Sequence, residues 1–290
     1  MAGVIIPLLL WVIESEIAMA VKFEFKDRYD FNDLLSIITL LRAPGGCPWD
    51  REQTHFSIKK NFIEETYEVV EAINKESAEM LREELGDVLL QIALHCEMES
   101  EKGSFDFNNV VDELVKKLVI RHPHVFGNVV AENEEQALDS WNTAKAESKK
   151  QKSQTESMLS VPRELPALMR AQKIQHKAAK AGFDWDELGG AADKLYEELN
   201  ELKLAISKGD SAEIEEEFGD VLFSCVNISR FLKLDSEEAL TRSTDKFLSR
   251  FEIVEQLALE RGIELKEASI EVLDTLWEEA KIIKDEQSSK

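Results

Sequence analysis

Glycine and proline are scarce in this chain, at 12 and 6 of 290 residues. Aromatics are few at 8%. No convincing period-two run or hairpin turn occurs, so strands are not expected. Cysteine is limited to Cys47, Cys96 and Cys225. They are odd in number and form no CxxC pair, which argues against a disulfide framework or a zinc knuckle. They read as reduced thiols of a cytoplasmic protein. The five histidines form no metal-binding pattern, and His122 and His124 flank Pro123 in a loop-like spacing. Positive charge is short: 35 Lys and Arg face 58 Asp and Glu, a net charge of -23. That balance argues against sequence-independent nucleic-acid binding, which needs cationic contacts to phosphate. An anionic substrate would need local cations or metal. Long apolar runs are missing too. Val4 to Ile13 is apolar, but it is broken by Pro7 and preceded by no Lys or Arg. It is too short for a membrane span and lacks the basic start of a signal peptide. Residues 1–20 are therefore expected to be an extension outside the fold, with Met19 as an alternative start.

What is present is Glu, Lys, Leu and Ala, the composition of a mostly helical protein. The length suggests about two domains. Phe31, Leu34, Leu35, Ile38 and Leu41 share one helical face. Ala43 to Asp50 then stacks Pro and Gly around Trp49 and ends that pattern. A Trp in such a loop is a lid or ring-stacking platform, or else a plug over the core. Helices are expected over about 54–74, from an N-cap at Ser77 to about 101, over 107–121 with Pro123 as the stop, and over 134–150. Residues 151–160 are polar and aperiodic and read as a linker. Further helices are expected over about 164–181, 188–207, 211–234, 236–262 and 266–285, with Trp185-Asp186 in a loop between the first two. The fold class is all-α: two tandem helical-bundle domains, 21–150 and 161–290.

The chain contains one acidic pattern twice. Glu64-Glu65-x-x-Glu68 is followed by Glu84-x-x-Asp87, and Glu197-Glu198-x-x-Glu201 by Glu217-x-x-Asp220. The copies lie 133 residues apart without a gap. Between Glu64 and Leu89, 12 of 26 positions are identical, most of them carboxylates or glycine, so the shared feature is a site and not merely a core pattern. Residues three and four apart share a helix face. Glu198 with Glu201 and Glu217 with Asp220 therefore project together from antiparallel neighbours. Four carboxylates across one groove repel, raising one another's pKa, unless a cation is bound. Oxygen ligands without His suit magnesium or manganese. Four of them imply more than one ion, or one ion with supporting groups. The bland alternative, a solvated acidic face, fits one such run but not two matched copies. Di-iron bundles need Glu-x-x-His, which neither copy has.

A cationic set recurs as well. Lys246 and Arg250 are four apart, as are Trp277 and Lys281, and Lys117 with Arg121 and Trp141 with Lys145 repeat the arrangement. Singly, these are ordinary surface residues. Repeated in order, they suit clamping a phosphate chain and stabilising leaving-group charge. The Trp could stack on a base or pack on the neighbouring helix.

These motifs resemble the MazG family of nucleoside triphosphate pyrophosphohydrolases, within the all-alpha NTP pyrophosphatase superfamily. The similarity extends to Gly46-Cys47-Pro48-Trp49-Asp50, to Arg121-His122-Pro123-His124-Val125-Phe126 and to Ala178 through Trp185. It covers about Phe31 to Lys281, in the tandem form of bacterial members. The resemblance implies a Mg²⁺-dependent hydrolase converting an NTP and water to the NMP and pyrophosphate, with broad base tolerance and a house-cleaning role. It implies metal ligation by Glu198, Glu201, Glu217 and Asp220, with Glu197 as a supporting or phosphate-clamp partner. Lys246, Arg250, Trp277 and Lys281 match positions that contact nucleotide or phosphate. Glu65, Glu68, Glu84 and Asp87 would form a second metal site. A homodimer is implied. Asn227, two turns beyond Asp220, has Leu94 as its counterpart in the other copy and could bond a sugar or phosphate. It tilts the main activity toward the C-terminal domain. The competing readings are a non-catalytic nucleotide sensor or adaptor, and a relative specialised for dUTP or phosphoribosyl-ATP. The base and sugar preferred are not legible.

Overall fold

The computed structural model describes residues 23–149 and 153–288; the expected extension at 1–20 lies outside them. Among the described residues the chain is helices and connections, without strands. It divides into two compact units at about Ser148–Lys149.

In the first unit, α1 (Phe31–Arg42) starts at a capping box in which Asp30 accepts from the Asp33 amide and Asp33 accepts from the Asp30 amide. The Pro/Gly-rich segment after it holds a short helix, α2 (Pro48–Glu52), which the sequence reading treated as loop; Pro48 at its first position favours the helix start. The next helix, α3 (Lys59–Asn74), begins five residues later than expected, because Thr54 to Ile58 forms a turn stabilised by hydrogen bonds between Thr54 and Ser57. Ser77 caps α4 (Ala78–Ser100) as expected, accepting from the Met80 amide. Then come α5 (Phe107–Arg121), α6 (Pro123–Phe126) and α7 (Glu134–Lys149). Helices α3 and α4 pack along their length, and α1 lies against α4. The core gathers Ile38, Ile58, Ala93, Leu94 and Met98, with Leu34, Leu35, Leu41 and Leu90 around them.

The second unit opens with a correction. Part of the expected linker is helical: α8 (Gln154–Leu159) is capped by Ser153, packs on the next helix, and Ser157 Oγ accepts from Lys177 Nζ at 2.6 Å. Next come α9 (Ala167–Lys180), α10 (Leu188–Lys208) and α11 (Ser211–Phe231), the last capped by Asp210. A hairpin of α12 (Ser236–Glu260) and α13 (Ile270–Ser288) follows. The pair α10–α11 repeats α3–α4 in detail. Ala72 and Ala205, 133 residues apart, are both fully buried. Glu76 and Gly209, also 133 apart, both hold the left-handed turn conformation, with φ of 52° and 74°. Val254, Ala258, Leu276 and Ala280 form the core of the α12–α13 hairpin.

Candidate metal centre

Each helix pair brings its carboxylates together. In the second unit one carboxylate oxygen each from Glu198, Glu201 and Glu217 lie within 4.8 Å of one another. In the first, Glu65, Glu84 and Asp87 do the same. The fourth member of each set is close enough to act electrostatically. Asp220 raises the pKa of Glu217, and Glu68 raises those of Glu65 and Glu84. The repulsion expected from spacing is therefore present. Glu201 is held protonated to higher pH by its hydrogen bond with Glu198, then by partial desolvation and the charge of Glu217. Partial desolvation, then Glu198 and Asp220, raises Glu217. Desolvation leads at Glu65 and Glu84 as well. Such a donor set, all oxygen and all anionic, fits a hard divalent cation and would lose its self-repulsion on binding one.

The copies differ in how they manage this charge. Glu198 is 5% exposed. Lys194 Nζ lies 2.7 Å from Glu198 and donates to Glu197 Oε1 at 2.7 Å, so its own pKa is raised by those two partners. The corresponding residue of the first copy is Asn61. Lys194 is a candidate functional residue whose signal in the sequence is its spacing: it stands three and four residues before two of the carboxylates, on their face of α10. Glu197 is exposed and acts on the site through that lysine.

The cations predicted from sequence lie on the two helices that follow. Lys246 and Arg250 sit on α12, and Trp277 and Lys281 on α13. Among the described residues no ion pair joins them to the carboxylates; Lys281 pairs with Glu278 at 2.7 Å. Trp277 packs against the Phe247 ring at 5.1 Å and belongs to the hairpin core. In the first unit Trp141 instead has two cations over its ring, Arg121 at 5.5 Å and Lys145 at 4.4 Å from its centre. The matched arginines share one trait. Arg121 and Arg250 each bury Nε without a hydrogen-bond partner, as does Arg170 on α9.

Asn227 is buried, and its Oδ1 accepts from Arg230 Nε at 3.1 Å and Nη2 at 2.8 Å. Arg230 in turn grips both oxygens of Asp184, at 2.8 and 2.5 Å. The amide oxygen is thus committed to a clamp on the Asp184-Trp185 loop. Trp185 packs over Gly190, where a Cβ would come within 2.3 Å of the ring. Trp49 is 61% exposed. Neither Trp plugs a core, which settles that alternative.

Comparison with known proteins agrees with the duplication. The model of the MazG nucleotide pyrophosphohydrolase domain matches twice, at residues 53–126 and 191–254. The chain is 44% identical over 251 residues to the nucleoside triphosphate pyrophosphohydrolase of Escherichia coli (strain K12), covering 86% of this chain and 95% of that protein. It is 46% identical over 251 residues to the nucleoside triphosphate pyrophosphohydrolase/pyrophosphatase MazG of Thermotoga maritima, covering 87% and 95%. An uncharacterised Bacillus subtilis protein, YabN, is 44% identical over 256 residues, with 52% of its own length covered.

Proposed function

The chain belongs to the MazG nucleotide pyrophosphohydrolase family, and we propose that it works on cytoplasmic nucleoside triphosphates as a Mg²⁺-dependent homodimer, with broad base tolerance and its main activity in the C-terminal domain. It is a nucleoside triphosphate pyrophosphohydrolase, a hydrolase of phosphoric anhydrides. One observation carries the site assignment: Glu198, Glu201 and Glu217 converge within 4.8 Å, and the proton affinities of Glu201 and Glu217 are raised there.

In this reading Glu198, Glu201, Glu217 and Asp220 hold Mg²⁺, or Mn²⁺, in the catalytic site. The ion supplies charge neutralisation at the phosphates and lowers the pKa of water. The chain's own groups do the rest. A water attacks the α-phosphorus, the bond to the bridging oxygen breaks, and pyrophosphate leaves with that oxygen. A carboxylate of the cluster within reach of the attacking water accepts its proton. Lys246, Arg250 and Lys281 clamp the phosphate chain. Trp277 presents its ring toward nucleotide from the hairpin core. Lys194 keeps Glu197 and Glu198 placed. Asn227 acts indirectly, through Arg230 and Asp184.

The matched set Glu65, Glu68, Glu84 and Asp87 is a second metal site of weaker or structural role. The homodimer is supported by large apolar side chains left exposed on the paired helices, among them Ile63, Tyr67, Tyr196, Phe218 and Phe223. A cytoplasmic setting is supported by three free cysteines. No helix among the described residues is long and apolar enough to cross a membrane, and the net charge of -23 disfavours nucleic acid as a partner.

The test is Mg²⁺-dependent pyrophosphate release from a panel of NTPs. Release from several bases supports the reading. Nucleotide binding without release would make the chain a sensor, and release from dUTP alone would make it a specialised relative.

A further inference from the structure

A histidine network lies outside both carboxylate clusters. His55, in the turn before α3, and His95, on α4, bring their Nδ1 atoms within 2.7 Å. The rings are nearly parallel, at 5°, with centres 5.0 Å apart. His55 Nε2 lies 2.6 Å from Glu99 Oε1, and Lys102 Nζ donates to the same oxygen at 2.6 Å. Phe62 of α3 closes the His95 side, its ring centre 5.9 Å away.

Proton counting constrains this network. The hydrogen bond from Lys102, then that from His55, holds Glu99 ionised with a pKa of about 2, so Glu99 accepts and His55 Nε2 carries a proton. The Nδ1–Nδ1 contact can then hold one proton only, donated by either ring to the bare nitrogen of the other. A second proton would set two N–H groups head to head. Burial, then the charge of His55, lowers the pKa of His95, so the single-proton form prevails near neutrality. No charged side chain of α1, α3 or α5 acts on His95 among the described residues. Arg42, Glu97 and Glu101 interact with one another on the α1 side of α4.

The mechanical setting gives the contact a task. Helix α3 begins at Ile58 without a side-chain cap, and its first turn carries Lys59 and Lys60 rather than an acid. Both features weaken a helix start. Tertiary contacts must pin it: buried Ile58, the Phe62 ring against His95, the His55–His95 bond and the His55–Glu99 bond. We propose that His55 and His95 form an acid-sensitive latch between the start of α3 and α4: a second proton on the pair breaks the Nδ1–Nδ1 bond and leaves His55 tied to α4 through Glu99 alone. Because α3 carries Glu65 and Glu68, opening loosens the first carboxylate cluster. The second copy has Ile228 at the position matching His95, 133 residues on, so it has no such latch.

Hydrogen exchange of the full chain, followed by mass spectrometry at pH 7 and pH 5 and corrected for intrinsic exchange rates, tests this. Peptides covering 54–63 are expected to lose protection several-fold at pH 5, while those covering 188–200 do not. In His95→Asn, which keeps a polar atom near the Nδ1 position but cannot ionise, the 54–63 region is expected to be equally protected at both pH values. Unchanged wild-type protection, or the same loss in His95→Asn, overturns the proposal. Should that variant fold poorly, histidine ring NMR of the wild type decides. Two coupled protonation steps, the second below pH 6.5, support the latch; two independent titrations at the ordinary histidine pKa overturn it.

Discussion

Glu198→Gln is the sharpest perturbation of the proposed catalytic site, because it removes one charge and keeps the volume. The Glu198 side chain is only 7% exposed, and a carboxylate oxygen lies within 4.8 Å of those of Glu201 and Glu217. An ion bound among these oxygens would sit within a few ångströms of each. Two unit charges about 4 Å apart attract by about 1 kcal/mol in water and about 4 kcal/mol at an effective dielectric near 20; a divalent ion doubles both figures. The groove is open on the Glu201 side and closed on the Glu198 side. The loss should therefore fall between the doubled figures of about 2 and about 8 kcal/mol, and toward the lower one because water reaches the open side: about 2–4 kcal/mol, or roughly 30- to 1,000-fold in ion affinity. The fold should survive, since Lys194 keeps its bond to Glu197. The assay is pyrophosphate release at saturating NTP across a Mg²⁺ titration. The half-saturating Mg²⁺ concentration should rise by that factor, while Glu65→Gln leaves it unchanged. The reasoning fails if Glu198→Gln has the wild-type Mg²⁺ dependence, and the choice of domain fails if Glu65→Gln alone is inactive.

Three further outcomes follow from the structure. Glu201 and Glu217 have raised folded pKa values, so just above pH 4.5 the native state holds more protons than the unfolded chain. Their contribution to stability thus falls as pH rises through that window. An arriving cation must expel those protons, so Mg²⁺ added near pH 5 should release more of them than at pH 7.5, as calorimetry in buffers of different ionisation enthalpy would show. Arg42 grips Glu101 at 2.6 and 2.9 Å and donates to the carbonyls of Asp50 and Gln53, fastening the Trp49 helix to α4. Arg42→Met should cost about 2–3 kcal/mol in urea unfolding. Glu76 holds φ of 52° where the second copy has Gly209. Glu76→Gly should stabilise the first unit by about 0.5–1 kcal/mol, because glycine enters that region without a Cβ clash; a loss of stability would count against the turn geometry.

Most of the architecture was legible because it depends on local chemistry. The α4 start follows from Ser77, and the pairing of α10 with α11 from the apolar faces beside Gly209-Asp210. Converging carboxylates were legible because helical periodicity alone puts Glu198 beside Glu201. What failed to show had non-local causes. The helix at Gln154–Leu159 is polar, and its Ser157 meets Lys177 twenty residues away. The His55–His95 contact spans forty residues and is invisible to any helical period. Asn227 lies on the carboxylate face, where the other copy has Leu94, and that contrast suggests a polar ligand; the bond its Oδ1 accepts comes from Arg230, a turn further along α11.

The two copies also show where duplication leaves freedom to diverge. The carboxylates are fixed in both, yet the groups that support them are not. The first copy fills the space two turns beyond Asp87 with Leu94, a member of its apolar core, and fastens its Trp loop with Arg42 on α1 reaching Glu101 on α4. The second replaces Leu94 by Asn227 and reverses the charges, with Arg230 on the helix and Asp184 in the loop. A reversed pair holds a loop equally well, so stability cannot distinguish the two solutions. The field can. The second copy places Lys194 and Arg230 on the helices that carry its carboxylates, whereas the first has Asn61 and Glu97 at the matching positions. A polyanionic substrate would gain from those two cations. That contrast is the physical reason to seek catalysis in the second copy first.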